Sequence, residues 1–220
     1  KERVFVSGTG AVTSYGIGTE TLWDSLLNGV SAAAPIPDEF YSYHEPISEI
    51  WAPLPKFDWR QLGISRADEI RNDPLVLMSY VAVEEAIKNA RLEIDCSNRK
   101  KQTFKIRDLP GARLGVSMGT GLGGGSAPFD NYVPHLLSRH RETLESLRLE
   151  NRTPALQELT KNLAANPRVN PYVICQTMPN AVASNLGIRY GALGMVDVSC
   201  FACAASTIAI KKAVCALAHG

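Results

Sequence analysis

Two cysteines stand three residues apart in the run Ser199-Cys-Phe-Ala-Cys-Ala-Ala-Ser206. Just before them, Met195-Val-Asp-Val198 reads as a strand; just after, Ala204 to Ala218 reads as a helix. A thiol at a helix N-terminus meets the positive end of the helix dipole and backbone N–H groups with no intrahelical acceptor. Such a setting favours the nucleophilic thiolate and suits covalent acyl transfer. Residue type alone favours a duller account, a cysteine buried for packing in a core helix. As a redox pair the C-x-x-C has the wrong order, because thioredoxin-like motifs put the nucleophile first. As half a zinc site it lacks a second C-x-x-C, and His44, His135, His140 and His219 have no ligand spacing.

The elements that must position this segment follow a strand–helix alternation. Residues 3–8 read as a buried strand ending at Gly8-Thr-Gly10. Thr19 is placed to cap a helix carrying Leu22, Trp23, Leu26 and Leu27, stopped by Gly29. Residues 31–72 are proline-rich and loop-like. Asp73-Pro74 is a cap followed by proline at the first helical position, and the helix runs to about Arg91 with a Glu84–Lys88 pair. Residues 113–118 read as a second buried strand, 133–165 as one or two charged amphipathic helices, and Ala181 to about Leu186 as a helix with turns at Gly187 and Gly191. This alternation predicts an α/β protein of stacked layers.

Composition narrows the function classes. With 45% apolar residues, 20% charged residues and a net charge of +1, the chain has a globular core and no strong attraction for polyanions. Arg99-Lys-Lys101 is too short for a nucleic-acid patch and reads as a solvated loop. No membrane span is expected, since no stretch nears roughly 20 continuous apolar residues. The chain enters a strand at once, so no signal peptide is expected, and five unpaired cysteines suit the cytoplasm. The chain does not open on methionine, which suggests a trimmed or processed product.

Two glycine runs invite a dinucleotide site, Gly8-Thr-Gly10 and Gly119-x-Gly-x-x-Gly124. Neither opens directly into a helix, and no clear acidic residue ends a second strand about 20 residues on. Tight turns at strand ends account for both, so an NAD(P)-dependent reductase is the weakest alternative.

The order of motifs resembles the N-terminal half of a β-ketoacyl synthase of the thiolase-like condensing-enzyme superfamily. Val6 to Gly16 is similar to that family's opening strand and turn, and Leu22 to Ser31 to the helix after it. Asp73-Pro74 through Ala86 is similar to the second helix, and Gly115-Val-Ser-Met-Gly-Thr-Gly121 to the second core strand. Met178-Pro-Asn180 through Gly191 resembles the helix before the nucleophile strand, and Ala202-Cys203-Ala204 the nucleophile motif. Cys203 stands seventeen positions before Gly220, the usual distance from that cysteine to a glycine ending its helix, which selects Cys203 over Cys200.

The resemblance implies the first half of a pseudo-duplicated five-layer α-β-α sandwich. It implies that Cys203 takes an acyl thioester for decarboxylative Claisen condensation with a malonyl-type extender, its backbone N–H serving the oxyanion hole, with no cofactor and no metal. The implied partners are acyl carrier protein, a dimer mate reached through the 195–200 strand region, and the C-terminal half as a second polypeptide bringing the catalytic histidines. His219 cannot substitute, because 16 residues of helix are roughly 24 Å. A half-synthase acting only as scaffold or dimer partner is the alternative. Three departures from the family pattern matter. Phe201 replaces a small residue and would reshape the acyl pocket; Met195-Val196 replaces a proline-led pair; and residues 126–170 form a lengthened, helical insertion within the single 1–220 domain, suited to a lid or partner contact.

Overall fold

The computed structural model describes residues 3–38, 48–139 and 169–219. In chain order the elements are β1 (Val12–Thr13), β2 (Gly16–Ile17), α1 (Thr19–Leu27), β3 (Ala34–Pro35), β4 (Ile50–Trp51), α2 (Arg66–Arg71) and α3 (Pro74–Asn89). Then follow β5 (Ile94–Asn98), β6 (Thr103–Ile106), β7 (Val116–Gly119), α4 (Ser126–Arg139), α5 (Val173–Thr177), α6 (Ala181–Tyr190), β8 (Val196–Ser199) and α7 (Ala205–His219). One 3-10 turn at Gly111–Arg113 leads into β7, and another at Ala202–Ala204 leads into α7.

The site rests on β7 and β8, which pair in parallel with Val116 opposite Val196 and Gly119 opposite Ser199. Strand alternation then sorts the side chains onto two faces. Val116 and Met118 pack on a core formed by Val76, Tyr80 and Ile87 of α3 with Val182, Leu186 and Tyr190 of α6. The residues between them turn to α7: the Ser117 hydroxyl donates to the Ala209 carbonyl at 2.8 Å, and Lys212 Nζ lies 2.7 Å from Asp197 Oδ2. The order is therefore α7, then β7–β8, then α6 with α3, an α-β-α stack. A second cluster, Ile64, Leu77 and Val81, seats the β1–β2 hairpin on the neighbouring face of α3.

The start of α3 follows local chemistry, and that of α1 does not. Asp73 caps α3 as expected, its Oδ1 accepting from Leu75 N–H at 2.9 Å ahead of Pro74. Its Oδ2 accepts from the Ser126 hydroxyl at 2.6 Å and from Ala127 N–H at 3.3 Å, so one carboxylate caps both α3 and α4. Thr19, by contrast, is the first residue of α1 and not its cap. The cap comes from α3, where Glu85 accepts Thr19 N–H at 2.7 Å and Ala11 N–H at 2.9 Å. Burial works against the ionised form of Glu85, but the N–H groups of Thr19 and Ala11 outweigh it and hold the carboxyl below its ordinary range.

Several expectations are corrected. Residues 3–8 form no strand, and Phe5 and Val6 are exposed, because among the described residues no strand edge pairs with them. β7 begins at Val116, since the 3-10 turn occupies 111–113. α6 continues through Gly187 to Tyr190 and ends on Gly191 in the left-handed conformation. Gly187 faces β8, where a Cβ would meet the Val196 methyls at 3.4 and 3.8 Å, an ordinary contact. Glu84 pairs with Arg189 Nη2 at 2.8 Å instead of with Lys88 of its own helix. Arg99-Lys-Lys101 is the exposed turn of the β5–β6 hairpin, in keeping with a solvated loop. Of the 126–170 segment, Ser126–Arg139 forms α4, and 140–168 lies outside the described residues.

The stretch Ala202–His219 has the length and mean hydropathy (1.2) of a candidate span, where the sequence reading found none. Its seat is the strand pair: Ala205 and Ala209 are buried there, and Lys212 is tied to Asp197.

Candidate active site

Cys203 sits in the turn that joins β8 to α7. Phe201 (φ −132°, ψ 42°) breaks the strand, and Ala202 turns the chain at φ 45°. That left-handed conformation costs a non-glycine residue roughly 1–2 kcal/mol. Ala204 N–H then donates to the Phe201 carbonyl at 3.0 Å, which closes the turn. Cys203 is exposed in the first turn of a helical run that continues for 15 residues as α7. Its N–H belongs to the turn whose donors lack intrahelical acceptors, the place where a helix receives anionic oxygen.

Small residues allow this seat. A Cβ on Gly119 would stand 2.6 Å from the Ala205 oxygen and from Ser206 N, so strand end and helix start meet backbone to backbone. Gly123, at φ +100°, brings the same loop against Pro179. Gly124 lies directly under the Gln176 carbonyl and Asp73. Gly8 and Gly10 likewise lie against the α3 carbonyls of Ala86 and Ala82. Four glycines of the two dinucleotide-like runs thus have protein backbone where a phosphate would have to approach.

Cys200, the first cysteine, directly follows β8 and points its thiol at the Gly121 carbonyl, 3.4 Å away. Phe201 is 58% exposed beside Cys203 in sequence, and Leu122 and Met178 present further exposed apolar surface on the loops flanking the turn. His219 stands at the other end of α7, with Nδ1 2.8 Å from the Cys215 carbonyl oxygen. An open groove of about 670 Å³ runs there, lined by Ser117, Met195, Ala213, Leu217 and His219; it does not include Cys203. His135 lies on α4, while His44 and His140 lie outside the described residues. Among the described residues no group of three or more His, Cys, Asp or Glu is placed to hold a metal.

One feature escaped sequence reasoning. The Arg189 guanidinium is 5% exposed, stacked 4.3 Å from the Tyr80 ring and 5.1 Å from Phe104, and paired with Glu84. It braces α6, on which β8 packs, against α3. The available signal was an arginine on the apolar face of a helix otherwise built from Val182, Leu186 and Tyr190.

The family model described as beta-ketoacyl synthase, N-terminal domain, matches residues 1–220. The 3-oxoacyl-[acyl-carrier-protein] synthase 2 of Staphylococcus aureus is 26% identical over 217 residues, covering 96% of this chain and 41% of that protein. A putative mitochondrial 3-oxoacyl-[acyl-carrier-protein] synthase of Schizosaccharomyces pombe is 27% identical over 218 residues, covering 96% and 42%. Two solved structures share the fold over 100% of this chain. One is a beta-ketoacyl synthase from Burkholderia phymatum, with TM-score 0.67, 21% identity and 44% of that chain covered. The other is a type II polyketide ketosynthase bound to a hexaketide and in complex with its acyl-carrier protein, with TM-score 0.65, 20% identity and 48% covered. The chain thus spans less than half the length of these relatives, and the match over residues 1–220 makes it a member of the β-ketoacyl synthase family, corresponding to that family's N-terminal domain.

Proposed function

We propose that Cys203 is the acyl-accepting nucleophile of a decarboxylative Claisen condensation in fatty acid or polyketide synthesis. The observation that carries this is the exposed thiol in the 3-10 turn that leads into α7, in a chain matched along its length to the synthase N-terminal domain. The Cys203 thiolate attacks the thioester carbonyl of an acyl group carried on acyl carrier protein or coenzyme A. A new C–S bond forms, and the carrier thiolate leaves and takes a proton. The Cys203 N–H stabilises the oxyanion that develops on the way. A malonyl-type extender then loses carbon dioxide, and its carbanion attacks the enzyme thioester. The C–C bond forms and Cys203 leaves as thiolate.

The second oxyanion donor and the histidines that would polarise the extender belong, on this reading, to the part of the synthase beyond this chain, on the same or a second polypeptide. Supporting this, Ile210, Val214 and Leu217 form an exposed apolar stripe on the outer side of α7, which a second half would cover. Phe201 is assigned to the acyl pocket. The 195–200 strand region is assigned to the dimer contact, the 126–170 segment to a lid or partner contact, and the cytoplasm is the assigned compartment.

The test is acylation of the intact protein by an acyl thioester, followed by trypsin. Cleavage after Arg189 and Lys211 leaves Cys203 on the peptide 190–211. The acyl mass is expected on Cys203, and Cys203→Ala abolishes both acylation and condensation. Condensing activity unchanged in Cys203→Ala would refute the assignment and leave the chain a scaffold.

A further inference from the structure

Cys200 has no part in the chemistry just described, yet it stands at the same junction. Both thiols are exposed, Cys200 just after β8 and Cys203 in the turn. An extended three-residue link would hold their Cα atoms roughly 10 Å apart, beyond the about 4.4–6.8 Å of a disulfide. The link is not extended. Phe201 at ψ 42° and the left-handed Ala202 at φ 45° turn the backbone within the link, and the hydrogen bond from Ala204 N–H to the Phe201 carbonyl closes the turn that follows. The Cys200 thiol is held only by a weak S–H bond to the Gly121 carbonyl, which costs little to release. The other described cysteines sit elsewhere: Cys96 on β5, Cys175 on α5, and Cys215 about 18 Å further along α7.

We infer that Cys200 and Cys203 form a reversible disulfide modification site, with Cys200 acting as the resolving thiol when a peroxide oxidises Cys203. The inference takes from the proposed function only that Cys203 is a reactive thiol. The Cys203 thiolate attacks a peroxide oxygen; the O–O bond breaks and its electron pair leaves with the departing alkoxide or hydroxide. The sulfur becomes a sulfenic acid, oxidised by two electrons, and the peroxide is reduced. Cys200 loses its proton to solvent and attacks the sulfenic sulfur. The S–S bond forms, the S–O bond breaks, and the hydroxide takes up a proton as water. A dithiol reverses the product by exchange. The pair would thus keep the nucleophile from irreversible oxidation to the sulfinic acid.

The experiment uses the intact protein, hydrogen peroxide and peptide mapping. Peptide 190–211 carries Cys200 and Cys203 and no other cysteine. After peroxide it is expected two hydrogens lighter and closed to iodoacetamide, and dithiothreitol restores both thiols. In Cys200→Ser the same treatment gives sulfinic acid at Cys203, and recovery of the reactive thiol falls several-fold. Sulfinic acid forming equally in the wild type and in Cys200→Ser overturns the inference. Iodoacetamide labelling before peroxide separates the two claims. Selective labelling of Cys203 without a disulfide leaves the proposed function standing and removes this one, and no labelling of Cys203 at all overturns both.

Discussion

Gly119 and Ala205 meet backbone to backbone: a Cβ on Gly119 would stand 2.5 Å from the Ala205 carbonyl carbon. A residue with no side chain at the end of β7 therefore decides where α7 begins, and with it where Cys203 is presented. Gly119→Ala must push the first turn of α7 outward. We expect a loss of about 1–3 kcal/mol, the usual cost of overpacking, in urea denaturation, together with slower alkylation of Cys203. Gly121→Ala is the control, since nothing lies within 4 Å of a Cβ there. Equal alkylation rates in the two variants would show that Gly119 does not set the position of the thiol.

Glu85 gives a pH-dependent prediction. Its carboxylate caps α1 from α3 and holds the β1–β2 entry through Ala11. Its folded pKa is lowered from the ordinary 4.5. A lowered carboxylate stabilises the fold above the unfolded value, and that contribution is lost as pH falls through the folded value. At neutral pH Glu85→Gln is expected to cost about 0.5–1 kcal/mol. This is the low end for a helix cap, because the carboxylate is only half-buried and solvent screens it. The gap between the variant and the wild type should narrow below about pH 4; a gap independent of pH from 7 to 3 would refute the capping role.

Asp73 ties two helix starts with one side chain, through Leu75 N–H, Ala127 N–H and the Ser126 hydroxyl. Asp73→Ala removes both caps and leaves buried donors unpaired, at a cost of about 2–4 kcal/mol. Asp73→Asn keeps one acceptor and should recover part of it. Hydrogen exchange offers the sharper measurement: amides at the starts of both α3 and α4 should lose protection together.

Arg189 stacks on Tyr80 and Phe104 and pairs with Glu84. Arg189→Lys keeps the charge and loses the planar stack, for an expected cost of about 1–2 kcal/mol by thermal or chemical denaturation. A lysine variant as stable as the wild type would show that charge alone holds α6 to α3.

Tyr190, next to Arg189, offers a second pH test. Burial, with the Glu84 charge beside it, pushes its phenol up from 10.0 to about 12, and burial raises Tyr80 as well. A raised pKa gives stability that is whole below the unfolded value and lost as pH rises through the folded one. Alkaline titration by ultraviolet absorbance should show these two tyrosines ionising only as the protein unfolds, above about pH 10. Reversible ionisation of all tyrosines at pH 10 in the folded protein would contradict their burial.

What could be read from the chain alone was local. Asp73-Pro74, Gly191 after an apolar helix, and the β8-to-α7 junction are spelled by residues adjacent in sequence, because caps and turns are satisfied within a few positions. The placing of Cys203 at a helix start needs no more than that, and the family resemblance rested on the same short motifs. The strand assigned to residues 3–8 failed because a hydrophobic run becomes a strand only when another edge accepts its backbone, and that edge is not encoded in the run. Glu85 as the cap of α1 was hidden for the same reason: the acceptor lies 66 positions from the amide it serves.

The sequence by itself determined which residue types stand at the strand–helix junction, and hence that a thiol could lead a helix there. Only the tertiary structure decided that Gly119 makes room for that helix and that Gly8, Gly10 and Gly124 are filled by backbone and not by phosphate. It also decided that Arg189 is buried between aromatic rings. These are contacts between segments about 50 to 110 residues apart, chosen by shape and by the pairing of buried polar groups. Periodicity and spacing carry no record of such pairings, because each depends on what another part of the chain presents.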